Sequence, residues 1–149
     1  KEALFNILQF DIEGRKVLDL FAGTGQLGIE ALSRGAASCT FVDSSRKALE
    51  IVRKNLKLCA LEGSTVNDDA RSFLKRAGHY DIIFLDPPYA SGLYDEVLDI
   101  ITSADILSQG GFICAESPKE LVLPDMKAPY MKLKEYRYGK IKLTLYTRT

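Results

Sequence analysis

Apolar and polar positions along this chain switch repeatedly between a helical and a strand period, and the switching predicts a wound α/β sheet. Ala3, Leu4, Ile7 and Leu8 share one helical face with Phe5 beside it, which predicts an opening helix from Glu2 to Gln9. Lys16 to Leu20 reads as a short buried strand, followed by a helix from Gln26 to Arg34 that stops at Gly35. Ser38 to Val42 is the second strand. Ala48, Leu49, Val52 and Leu56 then recur at helical spacing in a basic helix from Ser45 to Leu58. A third strand from Thr65 to Asn67, a helix from Ala70 to Ala77, a fourth strand from Tyr80 to Leu85 and a helix from Leu93 to Thr102 continue the alternation. Gly110-Gly111 precedes a fifth strand, Phe112 to Glu116. The tail breaks the rhythm, because Tyr130 to Tyr138 and Lys140 to Thr147 are two strand patterns meeting at Gly139, as in an antiparallel hairpin. Together the strands predict a mostly parallel, Rossmann-like sheet of seven with an antiparallel hairpin at its C-terminal end.

A chain of 149 residues with 46% apolar content can bury one substantial core, and a single domain over residues 1–149 is expected. No apolar run reaches membrane-spanning length and no secretory signal is visible, so a cytoplasmic protein without a membrane partner is expected. Lys and Arg (20) balance Asp and Glu (20), but not evenly along the chain. From Lys119 onward eight basic residues face three acids, which predicts a nucleic-acid-facing edge. Lysines on an edge strand also suppress aggregation, and a neutral total is low for a domain that grips RNA unaided. Cys39, Cys59 and Cys114 lie in apolar contexts without metal-ligand spacing and are expected as reduced core residues. His79, the only histidine, falls in a turn, and no metal site is expected.

Chemistry concentrates where predicted strands end. Gly23-x-Gly25-x-x-Gly28 follows the first strand and opens a helix, as in a loop that cradles a nucleotide-like cofactor. That spacing fits NAD and S-adenosylmethionine alike. Asp43 ends the second strand about 20 residues past the glycines, where a carboxylate accepts ribose hydroxyls. After the third strand, Asp69 is placed to accept an adenine amino group and Ala70 to donate its N–H to the ring, while either Asp68 or Asp69 also suits the N-cap of the next helix. The fourth strand delivers Asp86-Pro87-Pro88-Tyr89. A carboxylate and a carbonyl of the rigid Pro-Pro turn can each take one N–H of an exocyclic amine, localising a lone pair otherwise delocalised into a nucleobase. Tyr89 offers a face for stacking.

Asp86-Pro87-Pro88-Tyr89 resembles the amino-methylating motif of class I S-adenosylmethionine-dependent methyltransferases, and Asp19 through Gly25 resembles their cofactor loop. Lys1 to Leu8, Val17 through Ala36, the Asp86 motif and Glu116-Ser117 together resemble the bacterial RsmD-type 16S ribosomal RNA guanine-N2 methyltransferases. The resemblance spans nearly the whole chain. It implies methyl transfer from S-adenosylmethionine to the 2-amino group of one guanine of 16S rRNA, in a small ribosomal subunit or an assembly intermediate. It also implies that Asp19, Phe21, Ala22, Gly23, Thr24, Gly25, Asp43, Ser44, Asp69 and Ala70 line the cofactor pocket, and that Asp86, Pro87, Pro88 and Tyr89 hold the guanine. Family members carry a basic N-terminal segment with an Arg-Pro-Thr element before the first helix, and the sequence from Lys1 shows none. Glu116 is expected either to orient the base or to sit at a polar sheet edge. A DNA adenine or cytosine amino methyltransferase, a protein-glutamine methyltransferase and an NAD-binding or other non-catalytic nucleotide-binding module are the alternatives.

Overall fold

The computed structural model describes residues 2–8, 11–88 and 92–149. Seven strands form one sheet: β1 (Lys16–Leu20), β2 (Ser38–Asp43), β3 (Ser64–Asn67), β4 (Tyr80–Leu85), β5 (Leu107–Pro118), β6 (Tyr130–Tyr138) and β7 (Ile141–Arg148). Their order is β3-β2-β1-β4-β5-β7-β6, parallel as far as β5 and antiparallel at β7 and β6. The antiparallel pair expected at the C-terminus is therefore present, with β7 inserted between β5 and the edge strand β6. The helices are α1 (Glu2–Leu8), α2 (Gln26–Ser33), α3 (Arg46–Leu58), α4 (Ala70–Leu74) and α5 (Leu93–Ala104).

Strand alternation divides the core into two layers. Val17, Phe41, Ile82, Phe84 and Cys114 point to the face covered by α1, α2 and α3, whereas Leu18, Leu20, Val42, Ile83, Leu85 and Ala115 point to the face covered by α4 and α5. α1 is fastened by Phe5, whose ring meets Phe84 edge-on at 5.9 Å. α2 lies unusually close to the sheet at Gly28. A Cβ there would stand 2.4 Å from the Phe41 ring and 2.7 Å from Cys39 Sγ, so only glycine fits.

Element boundaries depart from expectation in instructive places. The helix predicted to reach Ala77 ends at Leu74, because Arg76 N–H and Ala77 N–H bond three residues back, to Phe73 and Leu74, tightening the last turn. Gly110-Gly111 lies inside β5 rather than before it, at an irregularity in its pairing with β4. A Cβ at Gly111 would be 2.5 Å from the Asp81 carbonyl, so the glycine marks a close strand approach and not a break. Ser45 caps α3, its hydroxyl accepting the Ala48 N–H at 3.2 Å, and stands outside the helix predicted to start with it. The end of the first helix at Gln9 lies outside the described residues. Cys39 and Cys114 are buried, but Cys59 is exposed, because it follows the last turn of α3.

Three cations of the basic tail, Lys132, Lys142 and Arg148, are committed to folding. Lys142, only 2% exposed, donates to the Leu121 carbonyl at 2.6 Å and lies 3.3 Å from Glu135. Lys132 donates to the Leu123 carbonyl at 2.8 Å, and the Tyr146 hydroxyl to the Pro124 carbonyl at 2.7 Å. Together they strap the segment after β5 across the hairpin. Arg148 grips Asp105 at 2.7 and 3.0 Å, fixing the end of α5. The charge separation expected to mark a nucleic-acid edge thus includes cations whose partners are internal.

Gly28→Ala is expected to lower stability by about 1–3 kcal/mol, the usual cost of overpacking a tight contact, and to shift the urea midpoint accordingly.

Candidate active site

The sheet order reverses between β1 and β4, and their carboxyl ends flank a crevice of the kind in which open α/β sheets bind ligands. Two adjoining cavities occupy it, both walled by Phe21 and Asp86. One, of about 500 Å³, is also lined by Val42, Asp43, Ser44, Asp68, Asp69, Ala70, Pro87, Pro88 and Leu93. The other, of about 430 Å³, is lined by Asp19, Ala22, Gly23, Thr24, Gln26, Leu27 and Glu116.

Each acidic residue arrives there through its strand. Asp43, the last residue of β2, accepts the Gly23 N–H at 2.9 Å with one oxygen and the Ser45 N–H at 2.8 Å with the other. The carboxylate thereby holds the glycine loop against the start of α3, and each oxygen keeps a lone pair for a hydroxyl donor. Asp19 lies inside β1 on the α2 side and is 2% exposed, accepting the Gly28 N–H at 3.0 Å. Burial pushes its carboxyl up to about 8, against the pull of that N–H and with the charges of Asp86 and Asp43 adding to the rise. A cationic group in this cavity would supply the charge that the buried carboxylate lacks. Asp86 follows β4, and burial pushes it up to about 6, aided by the charge of Glu116 and a hydrogen bond with its side chain.

Phe21 begins the loop in the left-handed region at φ 64, an uncommon conformation for an aromatic residue, and Ala22 N–H returns to the Val42 carbonyl at 2.9 Å. Gly25 sits at φ 82 as the N-cap of α2, a conformation that favours glycine, and does not line either cavity. Asp69 rather than Asp68 caps α4, accepting from Arg71 N–H at 2.9 Å and Ser72 N–H at 3.3 Å. The Arg71 guanidinium also pairs with both Asp69 oxygens and holds that carboxyl below its ordinary value. Asp69 therefore borders the cavity with Oδ1 fully engaged and Oδ2 holding the Arg71 guanidinium, whereas Ala70 lines the wall without a side-chain obligation.

Of the residues expected from sequence, Asp19, Phe21, Ala22, Gly23, Thr24, Asp43, Ser44, Asp69, Ala70, Asp86, Pro87 and Pro88 converge on the two cavities. Tyr89 lies outside the described residues. Sequence reasoning missed Val42, Asp68, Leu93, Gln26 and Leu27 as lining residues. Gln26 and Leu27 were within reach, since the first turn of a helix that follows a glycine loop must border it. Among the described residues no His, Cys, Asp and Glu cluster is arranged to hold a metal ion.

Comparison with known proteins joins this geometry to a family. A family model described as Conserved hypothetical protein 95 matches residues 1–147. The Escherichia coli (strain K12) ribosomal RNA small subunit methyltransferase D is 37% identical over 99% of this chain and 76% of its own length. The chain belongs to the ribosomal RNA small subunit methyltransferase D family. The Haemophilus influenzae protein of the same name is 33% identical, over 98% of this chain and 78% of its own. A solved structure of a conserved Streptococcus pyogenes protein superposes with TM-score 0.91 at 33% identity, covering 99% of this chain and 94% of that one. The Thermus thermophilus 16S rRNA N2 G1207 methyltransferase, solved with AdoMet and guanosine, shares the class I methyltransferase fold at TM-score 0.75 and 24% identity, over 99% of this chain and 41% of that one. For this family member the strand order and the crevice at the β1–β4 reversal are those of a class I methyltransferase.

Asp19 generates a signed prediction. Its folded pKa lies above the unfolded 3.8, so the native state holds the extra proton and the ligand-free protein loses stability as pH rises from about 4 through about 8. Asp19→Asn is expected to remove that slope, seen as melting temperatures that diverge from the wild type as pH rises from about 4 to about 8.

Proposed function

We propose that this protein transfers a methyl group from S-adenosylmethionine to the exocyclic 2-amino group of a guanine in 16S ribosomal RNA, presented in a small subunit or assembly intermediate in the cytoplasm. The observation that carries this reading is the place of Asp86, on the wall shared by both cavities with Pro87 and Pro88 behind it. The names of the family's characterised relatives support a ribosomal RNA substrate.

The residues present fit the cofactor. No atom stands within 4 Å of where a Cβ at Gly23 would lie, which leaves the loop backbone open to a ligand. Asp43 keeps acceptor capacity for a ribose, and Asp19 meets the need of an ammonium in a confined, acidic cavity. When bound, S-adenosylmethionine supplies an electrophilic methyl group on a positively charged sulfur. The protein's part is positioning and charge. Asp86 accepts one N–H of the amine, and a carbonyl of the Pro87-Pro88 turn accepts the other, drawing the nitrogen toward tetrahedral geometry. As positive charge develops on that nitrogen, the carboxyl groups of Asp86 and Glu116 stabilise it from one cavity. The proton leaves during or after transfer, when the methylated nitrogen has become acidic. No cysteine lines either cavity, and Cys39 and Cys114 are buried with thiols pushed above their ordinary range, so direct in-line transfer needs no covalent enzyme intermediate.

Labelled S-adenosylmethionine offered with undermethylated small subunits, free 16S rRNA, DNA and protein is expected to place label on N2 of a guanine. Label on DNA alone, or on a glutamine, overturns the assignment. Asp86→Ala is expected to lower kcat roughly 10²- to 10³-fold while the protein stays folded. Because Asp86 stabilises the developing positive charge only when ionised, and faces Glu116 from β5 and Asp19 from β1, kcat is expected to rise with pH through about 6 and to fall below it.

A further inference from the structure

Asp86 does not line the cavity alone: a second carboxyl group, Glu116, borders it from the next strand. Leu85 pairs with Ala115 across β4 and β5, so the next residues, Asp86 and Glu116, emerge side by side. Alternation sends both to the α2 side of the sheet, where Phe84 and Cys114 also point, and both line the 430 Å³ cavity. The backbone at Glu116 is fixed as well. The hydroxyl of Tyr94, 2% exposed on α5, donates to the Glu116 carbonyl at 2.6 Å, and Ser117 beside it is fully buried.

We infer that Glu116 is the base-specificity residue of the site, forming with Asp86 a two-acceptor pair that reads the adjacent N1–H and N2–H of guanine. The inference rests on the proposed guanine-N2 reading and says how that base is chosen. Two carboxylates in contact repel unless each is given a proton donor. Guanine places two donors next to each other, the ring N1–H and the 2-amino group. Adenine and cytosine place a bare ring nitrogen beside their amine, so the second carboxylate would meet a lone pair. A buried polar group left unmatched in this way is heavily penalised, which makes the pair a filter as well as a grip. When Asp86 and Glu116 share a proton through their mutual hydrogen bond, the pair loses one acceptor and with it the match to guanine.

The test compares guanine with 2-aminopurine, which keeps the 2-amino group but has a bare N1. Small subunits are reconstituted from ligated 16S rRNA carrying either base at the position that the wild-type protein methylates, and kcat/KM is measured for the wild type and Glu116→Gln. The wild type is expected to prefer guanine by roughly 10²-fold. The Glu116→Gln amide offers a donor as well as an acceptor, so the preference is expected to fall to within a few-fold, with activity on 2-aminopurine gained as activity on guanine is lost. Loss of the 6-oxo group is common to both proteins and cancels in the comparison. Equal melting temperature and S-adenosylhomocysteine affinity establish that the variant is folded. An unchanged guanine preference in Glu116→Gln, with methylation of guanine N2 by the wild type intact, overturns the inference alone. Failure of the wild type to methylate any guanine N2 overturns the underlying reading and the inference together.

Discussion

The seating of α2 on the sheet is the contact on which the site depends. Gly28 brings that helix against Phe41 and Cys39, and the same residue gives its N–H to the buried Asp19. Because the glycine loop leads directly into α2, the depth of the helix sets where the loop passes over the carboxyl end of β1. Asp43 then ties the loop sideways to the next strand through Gly23 and Ser45. One backbone contact and two carboxylates therefore set the walls of both cavities, and the hydrophobic layers on either face of the sheet keep them in register.

Much of this was legible in the sequence because it rests on local rules. Period-two alternation located β1, β2 and β4, and glycines at Gly23, Gly25 and Gly28 located the turn and the close helix. The carboxylates at strand ends had to face the crevice, since parallel strands place their carboxyl ends on one edge. What was not legible depends on partners far apart in sequence. The pairing of Asp86 with Glu116 follows from the β4–β5 register, and the irregular stretch at Gly110-Gly111 obscures that register in the sequence. The engagement of Asp69 by Arg71 was hidden for a different reason, because a cap and a ligand contact have the same sequence signature.

The C-terminal hairpin shows how basic residues divide between the fold and the surface. Lys142 is nearly inaccessible and Lys132, Arg137 and Arg148 each stand near a carboxylate, whereas Lys134 and Lys140 are exposed. A long segment joins β5 to β6, and Lys132 and Lys142 bind its carbonyls where strand pairing cannot. Charge counted along a chain measures how many ionic groups are available. It does not measure how many are left over after the backbone has been satisfied.

Phe21 bears on the balance between stability and use. Its left-handed backbone costs on the order of 1–3 kcal/mol relative to a relaxed residue, and glycine at this position would remove that cost. The aromatic ring, however, is a wall common to both cavities, and glycine has nothing to put in its place. Glycine at Phe21 would relax the backbone but strip a ring from the core layer and merge two compartments into one wider opening, so the strained residue serves the fold and the division of the crevice at once.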